Sequence, residues 1–266
     1  MSDLSYPKSK TNKVNRLGER GKYDCKTVHE IIASSPVLHV SFSPSPEDYP
    51  VILPMIGKLG SFENPSADLS EPLDLYLHGY VSSRIMNLAR SSSKDPNDGN
   101  LKVCVCATKV DGLVLSLTPN SHSMNYRSSV IFGTASLVTD LDEKLYAMKL
   151  ITDGVLKGRY EKTRVPPDGA EMSSTQILRV SVESASAKVR AGEPGDYEKD
   201  LKQEKLLDRV WTGVIPMYTA YGEPQPSKYN RVKEVPEYIA NYVKDTGDAE
   251  RGYALAAITM DEAGTA

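Results

Sequence analysis

Leu73-Asp-Leu-Tyr-Leu-His-Gly-Tyr-Val-Ser-Ser-Arg84 is the stretch of sequence that decides the fold. Alternate residues from Leu73 to Leu77 place leucines on one face of a strand, while the polar face ends in His78. The strand leads into a predicted helix, Ser82–Ser91, through a turn of small, hydroxyl-bearing and cationic residues. A helix N-terminus presents unpaired N–H groups and the positive end of a dipole, so this junction favours an anion.

A second segment of similar character is His122-Ser-Met-Asn-Tyr-Arg-Ser-Ser-Val-Ile-Phe-Gly133. It again leads from polar residues into an apolar strand, although His122 itself lies in a turn and is expected to be exposed. Together, the two segments indicate a phosphate-bearing cofactor that lies across strand ends of a β-barrel.

Strands are predicted wherever apolar residues alternate, or β-branched residues cluster, between turn signals. Asp111-Gly112 has the sequence of a two-residue hairpin turn. Strands interleaved with few helices favour a mainly β fold over a doubly wound sheet. The predicted strands are Val37–Phe42, Val51–Ile56, Leu73–His78, Leu101–Thr108, Leu113–Leu117, Ser129–Val138 and Thr175–Glu183. The other predicted helices are Cys25–Ser34, capped by Asp24, and Glu143–Val155, capped by Asp140 or Asp142.

Composition narrows the class of protein. The 266 residues include 32 Lys and Arg and 35 Asp and Glu, for a net charge of −3. No basic field therefore favours nucleic acid or an anionic membrane as a partner. No apolar run approaches the roughly 18 residues that a membrane span needs, and the first residues lack the pattern of a secretory signal. With three cysteines and no disulfide framework, a cytoplasmic location is expected.

The chain is predicted to have three parts. Residues 1–22 form a polar N-terminal arm, residues 23–190 the barrel domain, and residues 191–266 a C-terminal extension that packs on the barrel or on a dimer partner. Trp211–Tyr221, in this extension, is interpreted either as a cover over the cofactor or dimer interface, or as a tail that packs apolar groups. Asp245–Ala266 is predicted to be a loosely held tail.

The segment Tyr126-Arg-Ser-Ser-Val-Ile-Phe-Gly-Thr-Ala135, with Asp140-Leu-Asp-Glu-Lys144 after it, resembles a known family. It is similar to the nitroimidazole-resistance branch of the pyridoxamine-phosphate-oxidase-like, FMN-binding split barrels. That branch also has a histidine where His78 ends its strand, and the resemblance covers about residues 14 to 225. It implies a mainly β fold, a six-stranded Greek-key split barrel with peripheral α-helices, and a homodimer with two cofactors at the subunit interface.

The resemblance also implies which residues contact the cofactor. Gly79 to Arg84 align with the Asn-Tyr-x-Ser-Arg-Lys of pyridoxamine phosphate oxidases, so that Ser82 keeps the serine and Arg84 keeps a cation. Ser83 replaces the other cation, and Ser128 replaces a glutamine that touches the flavin. The full predicted set is Pro54, Met55, Ile56, His78, Gly79, Ser82, Ser83, Arg84, Tyr126, Arg127, Ser128 and Trp211.

Three functions follow from these residues. The first is an FMN-dependent oxidoreductase that acts on a small organic substrate of aromatic or nitro type, with His78 as the catalytic residue. The second is a haem-binding protein with His78 as the axial ligand, and the third is a flavin-binding protein without catalysis. In the first of these, the flavin supplies the redox chemistry and the protein positions it.

Several site residues keep a structural alternative. Arg84 is either a phosphate ligand or a solvated helix residue, and Arg127 pairs either with a carboxylate or with the phosphate. Cys104 and Cys106 lie two apart on a strand and do not supply a four-ligand zinc site. No metal site is predicted, and the thiols are expected to be free and buried.

Overall fold

The structure is a computed structural model that describes residues 4–45, 49–92, 101–261 and 263–264. The sequence Ser91–Asn100, rich in Ser, Asn and Asp, predicts a surface loop, and its residues from 93 onward lie outside the described part of the chain. The chain divides into two compact units. The first unit consists of Met1–Asn15, Lys22–Thr108 and Ser128–Ala187, and the second of Arg16–Gly21, Lys109–Arg127 and Lys188–Ala266. The division of the chain into three consecutive parts, residues 1–22, 23–190 and 191–266, stays a prediction.

The described residues form nine strands and seven α-helices. The strands are β1 (Gly21–Lys22), β2 (Leu38–Phe42), β3 (Val51–Met55), β4 (Gly57–Gly60), β5 (Asp74–Tyr80), β6 (Leu101–Leu115), β7 (Ser123–Leu137), β8 (Thr175–Arg190) and β9 (Gly213–Pro216). The helices are α1 (Cys25–Ala33), α2 (Arg84–Ser92), α3 (Leu141–Val155), α4 (Gly169–Ser174), α5 (Glu198–Leu201), α6 (Glu204–Leu207) and α7 (Glu237–Ala256).

The sheet is mostly antiparallel, and its strand order is β3-β2-β6-β7-β8-β5-β4, with β1 beside β8 and β9 beside β6. β3 and β4 stand at opposite ends of this order, although only Ile56 separates them in sequence. The chain therefore passes directly from one end of the strand order to the other, as expected for a barrel and not for a flat sheet. The predicted mainly β fold with peripheral helices is confirmed.

Two aspartates cap helices as the sequence predicts. The side chain of Asp24 accepts a hydrogen bond from the N–H of Thr27 at 2.8 Å. Asp140, of the two candidates, caps α3 by accepting from the N–H of Glu143 at 2.8 Å. Each carboxylate satisfies an N–H group that the first helical turn leaves without an intrahelical partner.

The predicted hairpin turn at Asp111-Gly112 is wrong, because β6 runs through both residues without a break. Asp111 is buried and pairs with Arg127. Gly112 faces β9, where a β-carbon would lie 2.8 Å from a methyl group of Val214. Of the two residues that signal a turn in the sequence, Asp111 therefore forms an ion pair and Gly112 allows β9 to approach closely. The chain instead turns between β6 and β7, through a 3-10 turn at Pro119–Ser121, beside which His122 is exposed as predicted.

The core of the first unit includes the contact between α3 and the strands beneath it. Tyr76 and Ile177 are fully buried against Ile151 of α3. At the start of α3, the buried carboxylate of Glu143 accepts hydrogen bonds from the Tyr76 hydroxyl and from Arg179, each at 3.0 Å. Burial, together with the neighbouring Glu143 carboxylate, raises the pKa of Tyr76. These bonds fix the start of α3 over β5 and β8.

Most of the described N-terminal segment belongs to the first unit, where side-chain hydrogen bonds hold it. The side-chain amide of Asn12, only 3% exposed, donates to the carbonyl oxygen of Ala185 at 2.9 Å. The hydroxyl of Tyr6 lies 2.6 Å from Nε2 of His29, whose Nδ1 is 2.9 Å from the carbonyl oxygen of Leu69. Buried polar groups with several partners hold a segment in place.

The prediction of a loose tail from Asp245 onward is also wrong, because α7 extends through most of this segment. In the second unit, Lys109 forms an ion pair with Glu250, and the guanidinium of Arg127 lies 3.4 Å from the ring centroid of Tyr253. The N–H of Gly192 donates to the carbonyl oxygen of Ala257 at 2.7 Å. No helix in the described part of the chain is long and apolar enough to cross a membrane.

Candidate functional site

The end of β5 presents different residues on its two faces. In the ladder with β8, His78 lies opposite Ile177 and Gly79 lies opposite Gln176. Successive strand residues point to opposite faces, and paired residues share a face. His78 and Ile177 therefore lie on one face, and Gly79 and Gln176 on the other.

An apolar cavity of about 280 Å³ lies on the face of His78. His78 is exposed, and no hydrogen bond to another described residue engages its imidazole. The imidazole is thus available to a ligand that enters the cavity. The lining residues, besides His78, are Ile56, Met148, Ile151, Thr152, Val155, Arg159, Thr175 and Ile177.

A second cavity, of about 440 Å³, adjoins the first and shares Met148, Thr152 and Thr175 with it. Its lining is more polar and includes Arg164, which donates to the carboxylate of Glu171 at 2.6 Å. Arg159 lines the apolar cavity, whereas Arg164 of the second cavity is paired with Glu171 and Asp168.

On the opposite face of β5, methionine side chains fill the space in front of Gly79. A β-carbon at Gly79 would lie 3.0 Å from the methyl group of Met86, 3.7 Å from the Ser83 hydroxyl and 3.8 Å from the methyl group of Met55. The absence of a side chain at Gly79 therefore leaves room for the methyl group of Met86. Three of the predicted site residues, Met55, Gly79 and Ser83, do lie together.

The turn after β5 positions the start of α2, which begins at Arg84 and not at Ser82. The carbonyl oxygen of Ser83 accepts the N–H of Asn87 at 3.0 Å, and the side chain of Asn87 donates to the carbonyl oxygen of Ser82 at 3.1 Å. Ser82 and Arg84 are exposed. The hydroxyl oxygen of Ser83 is buried and has no hydrogen-bond partner among the residues that the structure describes. An unsatisfied hydroxyl beside a helix N-terminus and an exposed cation fits the binding of a phosphate.

Arg127 lies in the second unit and pairs with a carboxylate, one of the two alternatives that the sequence left open. Its Nη2 is 2.6 Å from Oδ1 of Asp111, and its Nε is 3.0 Å from Oδ2. Tyr126, also in the second unit, is half-buried, and Trp211 is 66% exposed. A role for these three residues at the cofactor stays a prediction.

The remaining predicted residues lie in the first unit. Pro54 is exposed and pairs with His39 of β2, and Met55 is half-buried and pairs with Leu38. Ile56 lines the apolar cavity with His78, and Ser128 is half-buried in β7. Cys104 and Cys106 are free but only half-buried, whereas the third thiol, Cys25, is buried.

Sequence reasoning missed the residues of α3 and β8 that line the two cavities. Met148 and Thr152 lie one helical turn apart on α3, a spacing that predicts only an inward face. The sequence predicts only that Thr175 begins a strand. The signal that was available is the strand alternation, since Thr175 and Ile177 share a face with each other and, through the ladder, with His78.

No group of three or more metal-ligating side chains that would suit a metal ion occurs among the described residues. A mainly antiparallel sheet whose two end strands, β3 and β4, are joined through Ile56 has the architecture of a split barrel. The sequence profile of the pyridoxamine 5'-phosphate oxidase family matches residues 24–189, more than half of the chain. The chain belongs to this family. A comparison with curated protein sequences finds no match.

Solved structures give further likenesses. The chain is similar to the flavocytochrome Anf3 from Azotobacter vinelandii, with 26% identity and a TM-score of 0.71 over 88% of this chain and 97% of that one. It is also similar to the FAD and haem binding protein from Mycobacterium smegmatis, with 22% identity and a TM-score of 0.67 over 84% of this chain and 97% of that one. A candidate 5-nitroimidazole antibiotic resistance protein from Bacteroides thetaiotaomicron has 21% identity and a TM-score of 0.43 over 61% of this chain and 81% of that one.

Proposed function

We propose that this protein is a flavin-dependent oxidoreductase that also binds haem, with His78 as the axial ligand of the iron. The observation that carries the proposal is the exposed imidazole of His78 at an apolar cavity, without a hydrogen-bond partner among the described residues. Membership of the family supports the flavin, and the likeness to a flavocytochrome at 26% identity supports the haem.

The residues around His78 fit a haem. A neutral imidazole nitrogen is a common proximal ligand of haem iron. Ile151, Val155 and Ile177 line the cavity with apolar groups, which limit the access of water to a bound iron. Arg159 lies on the wall of the apolar cavity, where a guanidinium group suits a propionate carboxylate.

The residues around Ser83 fit the phosphate of a flavin. The start of α2 contributes the positive end of a helix dipole, and the exposed Arg84 contributes a charged donor. When bound, the flavin supplies hydride or electron transfer. The protein's part is to hold the phosphate at Ser82–Arg84, so that the ring system is positioned relative to β3 and β5.

The size of the apolar cavity favours a second candidate function. Its volume of about 280 Å³ is close to the lower limit of small-molecule sites, which is about 300 Å³. A small aromatic or nitro-bearing substrate could occupy it in place of haem, with His78 donating a proton to the substrate. Haem titration separates the two candidates, because only the first predicts a Soret band that depends on His78.

We further propose that the protein is a symmetric homodimer in the cytoplasm. The three cysteines are free, which supports the cytoplasmic location because thiols stay reduced in that compartment. The second unit exposes large apolar side chains of the kind that a partner subunit covers, and these are Trp211, Ile215, Met217, Tyr218, Tyr221 and Tyr229. We expect an interface on the order of 2,000 Å². Sedimentation at micromolar concentration should give twice the 29.2 kDa of the chain, and a monomeric mass would exclude the dimer.

Replacing Arg84 with alanine tests the flavin site. We expect Arg84→Ala to weaken FMN binding by about 10- to 100-fold, because it removes a charge-assisted bond to the phosphate. The affinity for riboflavin, which lacks the phosphate, should stay the same. Fluorescence titration of both ligands into both proteins measures the effect. Equal affinities of the unmodified protein for FMN and riboflavin, or an unchanged FMN affinity in the variant, would remove Arg84 from the site.

A further inference from the structure

The imidazole of His29 is 0% exposed in the first unit, and both of its ring nitrogens have partners. Nδ1 lies 2.9 Å from the carbonyl oxygen of Leu69, and Nε2 lies 2.6 Å from the hydroxyl oxygen of Tyr6. A carbonyl oxygen only accepts hydrogen bonds, so Nδ1 carries the hydrogen of the neutral ring and Nε2 is an acceptor. The hydroxyl of Tyr6 therefore donates to His29.

The side chain of Tyr6 is brought to His29 by residues Leu4–Tyr6, which we call the cover segment. The N–H of Tyr6 donates to the carbonyl oxygen of Tyr23, and the N–H of Cys25 donates to the carbonyl oxygen of Leu4, each at 2.8 Å. The cover segment thus lies across the start of α1. Cys25, the first residue of that helix, is only 4% exposed.

A hydrogen bond also joins the Tyr6 hydroxyl and the Cys25 thiol. Because the hydroxyl hydrogen goes to His29, the thiol supplies the hydrogen of this second bond. Burial raises the pKa of both Tyr6 and Cys25, so each keeps its proton at neutral pH. The donors therefore run in one direction, from Cys25 through Tyr6 to Nε2 of His29.

A second proton on His29 does not fit this arrangement. It would lie on Nε2 and face a hydroxyl whose own hydrogen points toward the ring. Burial lowers the pKa of His29. The carboxylate of Asp24 favours the charged ring, but it already caps α1 by accepting the N–H of Thr27 at 2.8 Å.

The other charged side chains of the surrounding elements are engaged elsewhere or solvated. They lie on α1, on the loop around Leu69 and at the start of β5, and they are Lys26, Glu30, Asp68, Glu71 and Asp74. The two on α1 are exposed. Asp68 and Glu71 accept backbone N–H groups of their own loop, and Asp74 pairs with Arg179 at 3.8 Å.

The chain is fixed again just beyond the cover segment. The side-chain amide of Asn12 donates to the carbonyl oxygens of Pro7 at 3.0 Å and of Ala185 at 2.9 Å. The cover segment is therefore able to leave α1 while Pro7 stays in place. Such a local opening breaks two backbone hydrogen bonds and lets water reach the ring of His29.

We propose that the cover segment is a pH-sensitive cover over the start of α1, which opens when His29 takes up a proton. In the open form the ring is solvated and is protonated near its ordinary pKa of 6.5, whereas burial keeps it neutral in the closed form. The closed form is therefore fully favoured above that pH and loses stability as the pH falls below it. The ratio of open to closed form should rise by up to about tenfold per pH unit.

The test is hydrogen exchange of the full chain, followed by mass spectrometry at single-residue resolution. We expect the protection factors of the Tyr6 and Cys25 amides, corrected for intrinsic exchange, to fall by about tenfold between about pH 7.5 and about pH 5.5. The N–H of Val138, which donates to the carbonyl oxygen of Ile177 at 3.0 Å, should keep its protection, because the opening is local. Unchanged protection at Tyr6 and Cys25, or an equal loss at Val138, would overturn the proposal.

Two variants assign the effect to His29. His29→Gln does not titrate and should show the same protection of the Cys25 amide at both pH values. Tyr6→Phe lacks the hydroxyl and should lose about fivefold protection of this amide at neutral pH. His39→Gln, the same change at an exposed histidine of β2, is the matched control and should retain the full pH dependence. A pH dependence that persists in His29→Gln, or unaltered protection in Tyr6→Phe, would contradict the proposal.

Discussion

Replacing His78 with alanine is expected to abolish haem binding, so that the protein mixed with haem shows no protein-bound Soret band after gel filtration. The imidazole of His78 is the proposed axial ligand, and alanine supplies no nitrogen to the iron. The fold should survive because the side chain is exposed and makes no hydrogen bond to another described residue. FMN affinity should change little, since the phosphate is held by Ser82–Arg84.

His39→Ala is the matched control for this experiment. His39 is also an exposed histidine on a strand of the first unit, but it lies on β2 opposite Pro54 and lines neither cavity near His78. Its replacement should leave the Soret band at full intensity. A normal Soret band in the His78→Ala protein would eliminate His78 as the ligand and favour the substrate role of the apolar cavity.

The largest effect on stability is expected from Gly133→Ala in β7. A β-carbon at this buried glycine would lie 2.3 Å from the carbonyl oxygen of Ser181 in β8 and 3.0 Å from a methyl group of Val180. Because the first contact is with backbone, the two strands must separate locally. We expect a loss in the free energy of unfolding of about 3 kcal/mol or more, at or above the upper end of typical overpacking. Denaturant unfolding followed by circular dichroism measures this loss.

Gly169→Ala serves as the control for Gly133→Ala. Gly169 begins α4 in the same unit, and a β-carbon there would meet nothing within 4 Å. Its free energy of unfolding should be unchanged or slightly higher, because alanine restricts the unfolded chain. If Gly133→Ala were as stable as Gly169→Ala, the described packing of β7 against β8 would be incorrect.

The parts of the fold that the sequence predicts are those that local patterns determine. Strand β5 and helix α3 follow from alternation, from helical periodicity and from the cap at Asp140, all of which depend on neighbouring residues. The start of α2 is also predicted to within two residues, because Ser82 and Ser83 form the turn before it. Local chemistry and final structure agree at these positions.

The features that were missed depend on residues distant in sequence. Asp111-Gly112 has the local chemistry of a turn, but Asp111 pairs with Arg127 and Gly112 faces β9. The segment after Asp245 is weakly amphipathic, and its contacts with Lys109 and Arg127 are not visible in the sequence. Contacts between residues distant in sequence, and not local propensity, decide such positions.

The central claim is that one chain binds both a flavin and a haem, the latter through His78. The most direct measurement is the absorption spectrum of the protein after incubation with a flavin and haem, removal of unbound ligand and comparison of oxidised with dithionite-reduced samples. We predict flavin bands together with a Soret band that shifts on reduction, the Soret band being absent in the His78→Ala protein. Flavin bands without a Soret band, or a Soret band that persists in the His78→Ala protein, would contradict the claim.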